Sequence, residues 1–275
     1  MANNSTLNSD LFTNLLAEAQ FAMYESSVAR QIVTPFDYPS NAGKVLQVPV
    51  YSGVVAQGLT EGQAPNSEDT GTSTVEVTLE EVGTYFQVTD FMRDSAQRDV
   101  IADLGAQAGR AIAEKMDRDT FDLFTGFSEQ VGTTGTAITV DDIFEAVAAL
   151  RDNKVVGPLA AVVGPRQALQ LKKELAGTGG ANLTASEIGS DILRGYYIGS
   201  LAGCQIFESS LVPTTGTDKV GAVFHPGAIG HAMRGGINME TQRQAAMRAE
   251  DIMMSAVKGQ AILQNDFGVK ILGSA

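Results

Sequence analysis

At 275 residues the chain is long enough for one large domain or two intertwined ones, and its 44% hydrophobic and 19% charged residues are ordinary for a folded protein. A formal net charge of −13 excludes a protein that holds nucleic acid by neutralising phosphates, though not one that merely encloses it. The single cysteine, Cys204, excludes an intrachain disulfide and, in its apolar run, reads as a small core residue; stability is left to packing and to contacts between chains. The stretch Met1 to Asp10 is polar, without a basic or apolar signal region, and no run of apolar residues is long enough to span a membrane. A soluble intracellular product is expected.

In chain order, residues 8–32 read as an amphipathic helix with Leu11, Leu15, Ala19, Ala22 and Met23 along one side. Pro35 and Pro39 then force an extended path. This arm carries one basic residue before Gln31, namely Arg30, unlike the basic arms that condense a genome. Its pattern ties it to nothing that follows.

Two alternating segments come next. Leu46, Val48 and Val50 alternate with Gln47, Pro49 and Tyr51 inside the strand predicted for Lys44 to Val55, and Val75, Val77 and Leu79 alternate with Thr74, Glu76, Thr78 and Glu80. A Gly/Thr/Ser/Asn-rich stretch joins them, giving a long hairpin whose strands reach roughly 30 Å. An isolated hairpin is marginal in water and must lay its apolar face on something. Six branched aliphatic side chains carry a gross burial term on the order of 10 kcal/mol. That face covers either its own subunit's core or a neighbour, and Pro49 favours an edge position. Acidic residues cluster in and after the hairpin (Glu61, Glu68, Asp69, Glu76, Glu80, Glu81), and no Lys or Arg lies between Val45 and Met92. They form a solvated face or a one-signed arm docking on a basic surface such as Arg234, Arg243 and Arg248, or Arg166 with Lys172 and Lys173.

From about Thr89 to Phe127 one apolar stripe recurs at helical spacing through Ile101, Leu104, Ala108, Ile112 and Met116 to Phe124 and Phe127. Thr89, Asp90 or Asp99 can cap its start and Gly126 marks its end, which predicts a helix of roughly 43 to 57 Å. A sphere of this chain length would be only ~48 Å across, so an elongated subunit with this helix as its spine is expected. A mixed α/β segment follows. Asp141 or Asp142 is expected to cap a helix bearing Ile143, Phe144, Val147 and Leu150; Leu159 to Val163 reads as a buried strand; Pro165 opens a helix with Ala168, Leu169 and Leu175. Ala176 to Ala181 reads as a flexible loop, Tyr196 to Phe207 and Val220 to Phe224 as strands, and Ile237 to Ile271 as strands returning to a sheet.

No catalytic constellation emerges. There is no Gly-Lys-Ser/Thr phosphate loop; Asn182 stands where a dinucleotide fingerprint begun at Gly177 and Gly179 needs glycine; Ile198 spoils a nucleophile elbow at Ser200. His225 and His231, the two histidines, are too few for a zinc site and read as structural. Neither an enzyme nor a cofactor or metal is expected.

The order of elements, with local runs such as Val88-Thr89-Asp90, Val162-Val163-Gly164-Pro165, Gly199-Ser200-Leu201-Ala202-Gly203-Cys204 and Phe224-His225-Pro226-Gly227-Ala228, resembles the major capsid proteins of tailed bacteriophages, the Hong Kong 97 phage-type fold. The resemblance implies an α+β architecture. It consists of an N-terminal arm (1–43), an E-loop hairpin (44–88), a peripheral domain with the spine helix (89–133), an axial domain (134–234) and strands returning to both (235–275). It also implies pentamers and hexamers in an icosahedral virion shell around double-stranded DNA, assembled in the bacterial host cytoplasm, with the E-loop lying over the next subunit. The inter-subunit contacts expected are Leu46, Val48, Val50, Glu61, Glu68, Asp69, Val75, Val77 and Leu79, with Arg234, Arg243 and Arg248 as docking cations. Partners expected are a separate scaffolding protein, since the sequence opens directly on the arm, a portal, and a decoration or cement protein, with no membrane. With no lysine between Val45 and Met92, the chain is not expected to form the covalent cross-link that some members make from that loop. The alternatives are an encapsulin-type shell that loads a cargo enzyme and a soluble hydrolase using His225 or His231 as base.

Overall fold

The computed structural model describes residues 15–23, 27–37, 43–51, 56, 58, 61–62, 71–95, 100–179 and 197–274. Residues 15–23 form helix α1, and α2 spans Ala29–Ile32. Strand β1 (Thr34–Asp37) leads to the hairpin strands β2 (Val45–Tyr51) and β3 (Thr72–Thr78). One residue, Leu79, separates β3 from β4 (Glu80–Thr89), so the hairpin's second strand runs straight into a sheet.

That sheet has the order β1-β11-β12-β4, where β11 is Ile229–Gln244 and β12 is Ala249–Ile262. Only the β1–β11 pair is parallel. Alternation along β12 turns Ile252, Met254 and Ala256 toward helix α4 (Val100–Asp122), where they share a core with Ala108, Ile112 and Met116. The apolar stripe read from the sequence is therefore the buried face of α4. The side chain of Ile101, and all of Leu11, lie outside the described residues.

The spine is described in two helical pieces. Helix α3 (Asp90–Ser95) and α4 are separate described elements, and α4 ends in a 3-10 turn at Leu123–Gly126. The 23 residues of α4 span about 35 Å.

The second sheet has the order β5-β13-β10-β6-β8-β7, with β9 (Thr214–Thr215) on β10. Its strands are β5 (Glu129–Val131), β6 (Leu159–Val163), β7 (Tyr197–Leu201), β8 (Cys204–Glu208), β10 (Asp218–Phe224) and β13 (Gly268–Ser274). All five residues of β6 are buried, because helices α5 (Val140–Asp152) and α6 (Pro165–Gly179) cover one face and an aromatic cluster covers the other.

Three local readings are corrected here. Thr139, not Asp141 or Asp142, caps α5: its side chain accepts the Asp142 amide, and the Asp142 carboxylate accepts the Thr139 amide in return. Residues 176–179 continue α6 rather than forming a loop, since extending an established helix through glycine costs only about 1 kcal/mol per residue. The expected strand from Tyr196 to Phe207 is a hairpin, turned at Ala202 (φ 53) and Gly203 (φ 78), the two positive-φ positions of a type I′ turn.

Candidate inter-subunit surface

The register Leu46↔Val77 and Val48↔Val75 puts the hairpin's aliphatic residues on one face, and among the described residues β2 pairs with β3 alone, which places Pro49 on an edge strand. That face is divided. At the root, Val77 and Leu79 are buried with Ala232, and Leu46, Val48, Phe36, Val257 and Ala261 pack around them. Gly259 permits the approach: a Cβ there would lie 2.7 Å from the Thr78 carbonyl oxygen. Nearer the tip, Val50 and Val75 are half-buried and outside this cluster.

Val77 and Leu79 are thus corrected from neighbour contacts to members of the chain's own core, and the half-buried Leu46 and Val48 pack against them. Local alternation shows that a face is apolar but not whose surface it covers. Glu61 is an exposed turn residue, while Glu68 and Asp69, like the strand positions expected at residues 52–55, lie outside the described residues.

The three expected docking arginines are also engaged within the chain. Arg234 donates to the Gly43 carbonyl at 2.8 Å, bracing the hairpin root. Arg243 makes a two-pronged pair with Asp90 at 2.7 and 2.6 Å, and Arg248 lies 3.8 Å from the same carboxylate. Being largely exposed, this last contact adds little stability. Together the two arginines tie the β11–β12 turn to the start of α3.

Under the root lies an ionic joint that the sequence did not advertise. Lys258 is buried and bonds Asp119 of α4, which also pairs with Lys115 at 2.6 Å. Burial pushes the Asp119 carboxyl up, but the two ammonium groups outweigh it and hold it below the usual carboxylate range. Gln260 donates to the Met116 carbonyl and the Thr120 hydroxyl, both at 3.0 Å. Glu76, Thr78 and Glu80 of the hairpin join these residues around a cleft of about 220 Å³. The one available signal was a lysine set among Ala256, Val257 and Gly259 in an apolar strand.

The arm is fastened as well, contrary to its unattached pattern. Helix α1 crosses α4 at Gly105 and Gly109, where a Cβ would lie 2.4 Å from Leu15 Cδ1 and 2.2 Å from the Ala19 carbonyl oxygen. Buried Asp117 then accepts from Ser27 Oγ at 2.7 Å and from the amides of Val28 at 2.8 Å and Ala29 at 3.3 Å. Burial pushes its carboxyl above the ordinary range, against the pull of those three donors. Replacing Asp117 with alanine leaves the donors unanswered and is expected to cost about 2–3 kcal/mol. Denaturant unfolding checks that cost, and hydrogen exchange should show lost amide protection over residues 27–33.

Two of the groups considered for chemistry, His225 and Cys204, are held within the fold. His225 Nδ1 accepts the Gly227 amide at 3.0 Å, and its ring stands edge-on to Phe267. Cys204 is buried, which pushes its thiol up to about 12 and leaves it unreactive. Among the described residues no group of three His, Cys, Asp or Glu side chains is placed to hold a metal ion, and no helix is long and apolar enough to cross a membrane.

Comparison with known proteins agrees with the architecture. The phage capsid protein family, by its sequence model, matches residues 72–270. A structure of Mycobacterium phage Che8 superposes with a TM-score of 0.63 at 21% identity, over 84% of this chain and 85% of that one. The head structure of Helicobacter pylori bacteriophage KHP40 gives 0.70 at 10% identity, over 90% of each chain. The capsid of the native GTA particle gives 0.68 at 13% identity, over 94% of this chain and 91% of that one. No curated protein matches at the level of sequence. The structural likenesses establish the fold, the sequence match spans well over half of the chain, and the chain therefore belongs to the phage capsid protein family.

Proposed function

We propose that copies of this chain assemble as pentamers and hexamers into the icosahedral shell of a tailed phage, enclosing its double-stranded DNA without binding it specifically. The divided hairpin supports this reading most directly. Its root is anchored in the chain's own core, while among the described residues β2 pairs only with β3 and the half-buried Val50 and Val75 lie outside that core, placed to meet a neighbour. An open two-stranded edge in solution is a liability, and a shell contact covers it. In this reading the β1-β11-β12-β4 sheet with α4 is the peripheral domain and the β5-to-β7 sheet the axial domain. The two are laced together, since β11 runs through residue 234, where a boundary was expected.

The acidic balance fits a container. A shell at −13 per copy repels packaged phosphates and leaves the strands free to leave. The family match favours a phage shell over a cargo-loading nanocompartment.

Negative-stain microscopy with sedimentation velocity on the purified chain tests the reading. Ring-shaped capsomers or closed shells are expected. Val50→Asp with Val75→Asp should leave a folded chain whose assembled fraction falls by about ten-fold or more, because each charge must be desolvated at the contact. A wild-type chain that stays monomeric at high concentration and under crowding overturns the proposal.

A further inference from the structure

Helices α5 and α6 cover the same face of the second sheet and present outward stripes of opposite sign. On α5, Ile143, Ala146, Val147 and Leu150 face the core, which leaves Asp141, Phe144 and Glu145 outside, with Phe144 46% exposed. On α6, Ala168 and Leu171 face the core and Arg166, Leu169 and Lys173 point outward, with Leu169 50% exposed. Each stripe places a large apolar side chain within roughly 6 Å, along the helix axis, of two charges of one sign. Among the described residues no ion pair involves Asp141, Glu145, Arg166 or Lys173, whereas neighbouring Lys172 is paired with Glu208 at 3.0 Å.

We infer that α5 of one copy packs on α6 of the next, Phe144 against Leu169, with Asp141 and Glu145 facing Arg166 and Lys173. The inference rests on the shell reading above and names a contact within its rings. Charge selects the geometry. A two-fold contact pairing α5 with α5, or α6 with α6, sets like charges against each other, whereas a head-to-tail contact pairs opposite signs. Head-to-tail contacts repeated by rotation close into rings. The hairpin is a poorer partner for the basic stripe, because Glu76 already accepts from Gln47 at 3.2 Å and no described hairpin segment flanks an exposed ring with two carboxylates.

The test uses the full chain as D141K/E145K, as R166E/K173E and as the four-fold combination. Sedimentation velocity and negative-stain microscopy are run at one ionic strength, with circular dichroism confirming that each exposed substitution leaves the fold intact. Either pair alone should reduce the fraction in rings or shells by about ten-fold or more, and the combination, with both signs reversed, should recover to within about three-fold of wild type. Pairs that assemble like wild type, or a combination no better than the pairs, overturn the contact while wild-type shells uphold the shell reading. Loss with R166E/K173E alone would assign the basic stripe to another acidic surface, and so also overturns the pairing. A wild-type chain forming neither rings nor shells refutes the shell reading and this contact with it.

Discussion

Replacing Phe124 with alanine is expected to lower the stability of the subunit by about 3–5 kcal/mol, the largest effect of any single truncation proposed for this chain. Phe124 is fully buried, with ring centroids 5.3 Å from Phe121, 5.4 Å from Phe224 and 6.3 Å from Phe127. The cluster also takes Ala29, Ile32 and Val33 from the arm and Ala160, Val162 and Ala222 from the second sheet. Arm, spine end and second sheet therefore share one core at this point, and a void there cannot be filled by the movement of one element alone. Urea unfolding of the unassembled subunit measures the cost. A loss below about 1.5 kcal/mol would mean that the neighbouring rings collapse into the space and that the joint is less rigid than its packing indicates. Because Phe124 belongs neither to the hairpin-root cluster nor to the core under α5 and α6, any loss of assembly should follow subunit stability.

The second large effect concerns acid. His231 is buried on β11, its Nδ1 has no hydrogen-bond partner among the described residues, and Arg30 of the arm and Lys258 of β12 face it with positive charge. Burial first, then those two cations, bring its pKa down from the usual 6.5 to about 4. The unfolded chain takes up a proton as pH falls through 6.5, while the folded chain resists until about 4. Stability contributed by the neutral ring is therefore complete above pH 6.5 and is lost on descent, by about 3 kcal/mol at pH 4. Measured between pH 7 and pH 4, the wild type should lose about 3 kcal/mol more than His231→Gln, which has no proton to gain there. Parallel curves for the two proteins would show that His231 protonates in the folded state without penalty. The ring sits where the arm, β11 and the buried Lys258 converge, so protonation places a third positive charge at the junction holding the arm.

These elements share one design. The ends of the chain's reach, the hairpin and the arm, are rooted by buried side chains in the subunit: Val77 and Leu79 for one, Leu15, Ala19 and the Asp117 bonds for the other. A contact between copies can then load the outer part of either without unfolding its base. In a shell that distinction matters, because each subunit must hold its own fold before it meets a neighbour.

What the sequence determined by itself was local. Alternation in β2 and β3, the all-apolar run of β6, the stripe from Leu104 to Met116 and Pro165 at the head of α6 each reflect a periodicity or a backbone restriction that needs no partner. The order of those elements carried the family resemblance. Partner choice was decided only by tertiary structure. The aliphatic face of the hairpin root covers its own sheet, Arg243 and Arg248 converge on Asp90, and a lysine amid apolar residues finds a carboxylate 139 positions away. The arm looked unattached because its fastenings are a carboxylate 88 to 90 residues downstream and two glycines, whose meaning is space, not contact. A side chain's period fixes which face it shares, but which surface meets that face depends on where the rest of the chain has packed.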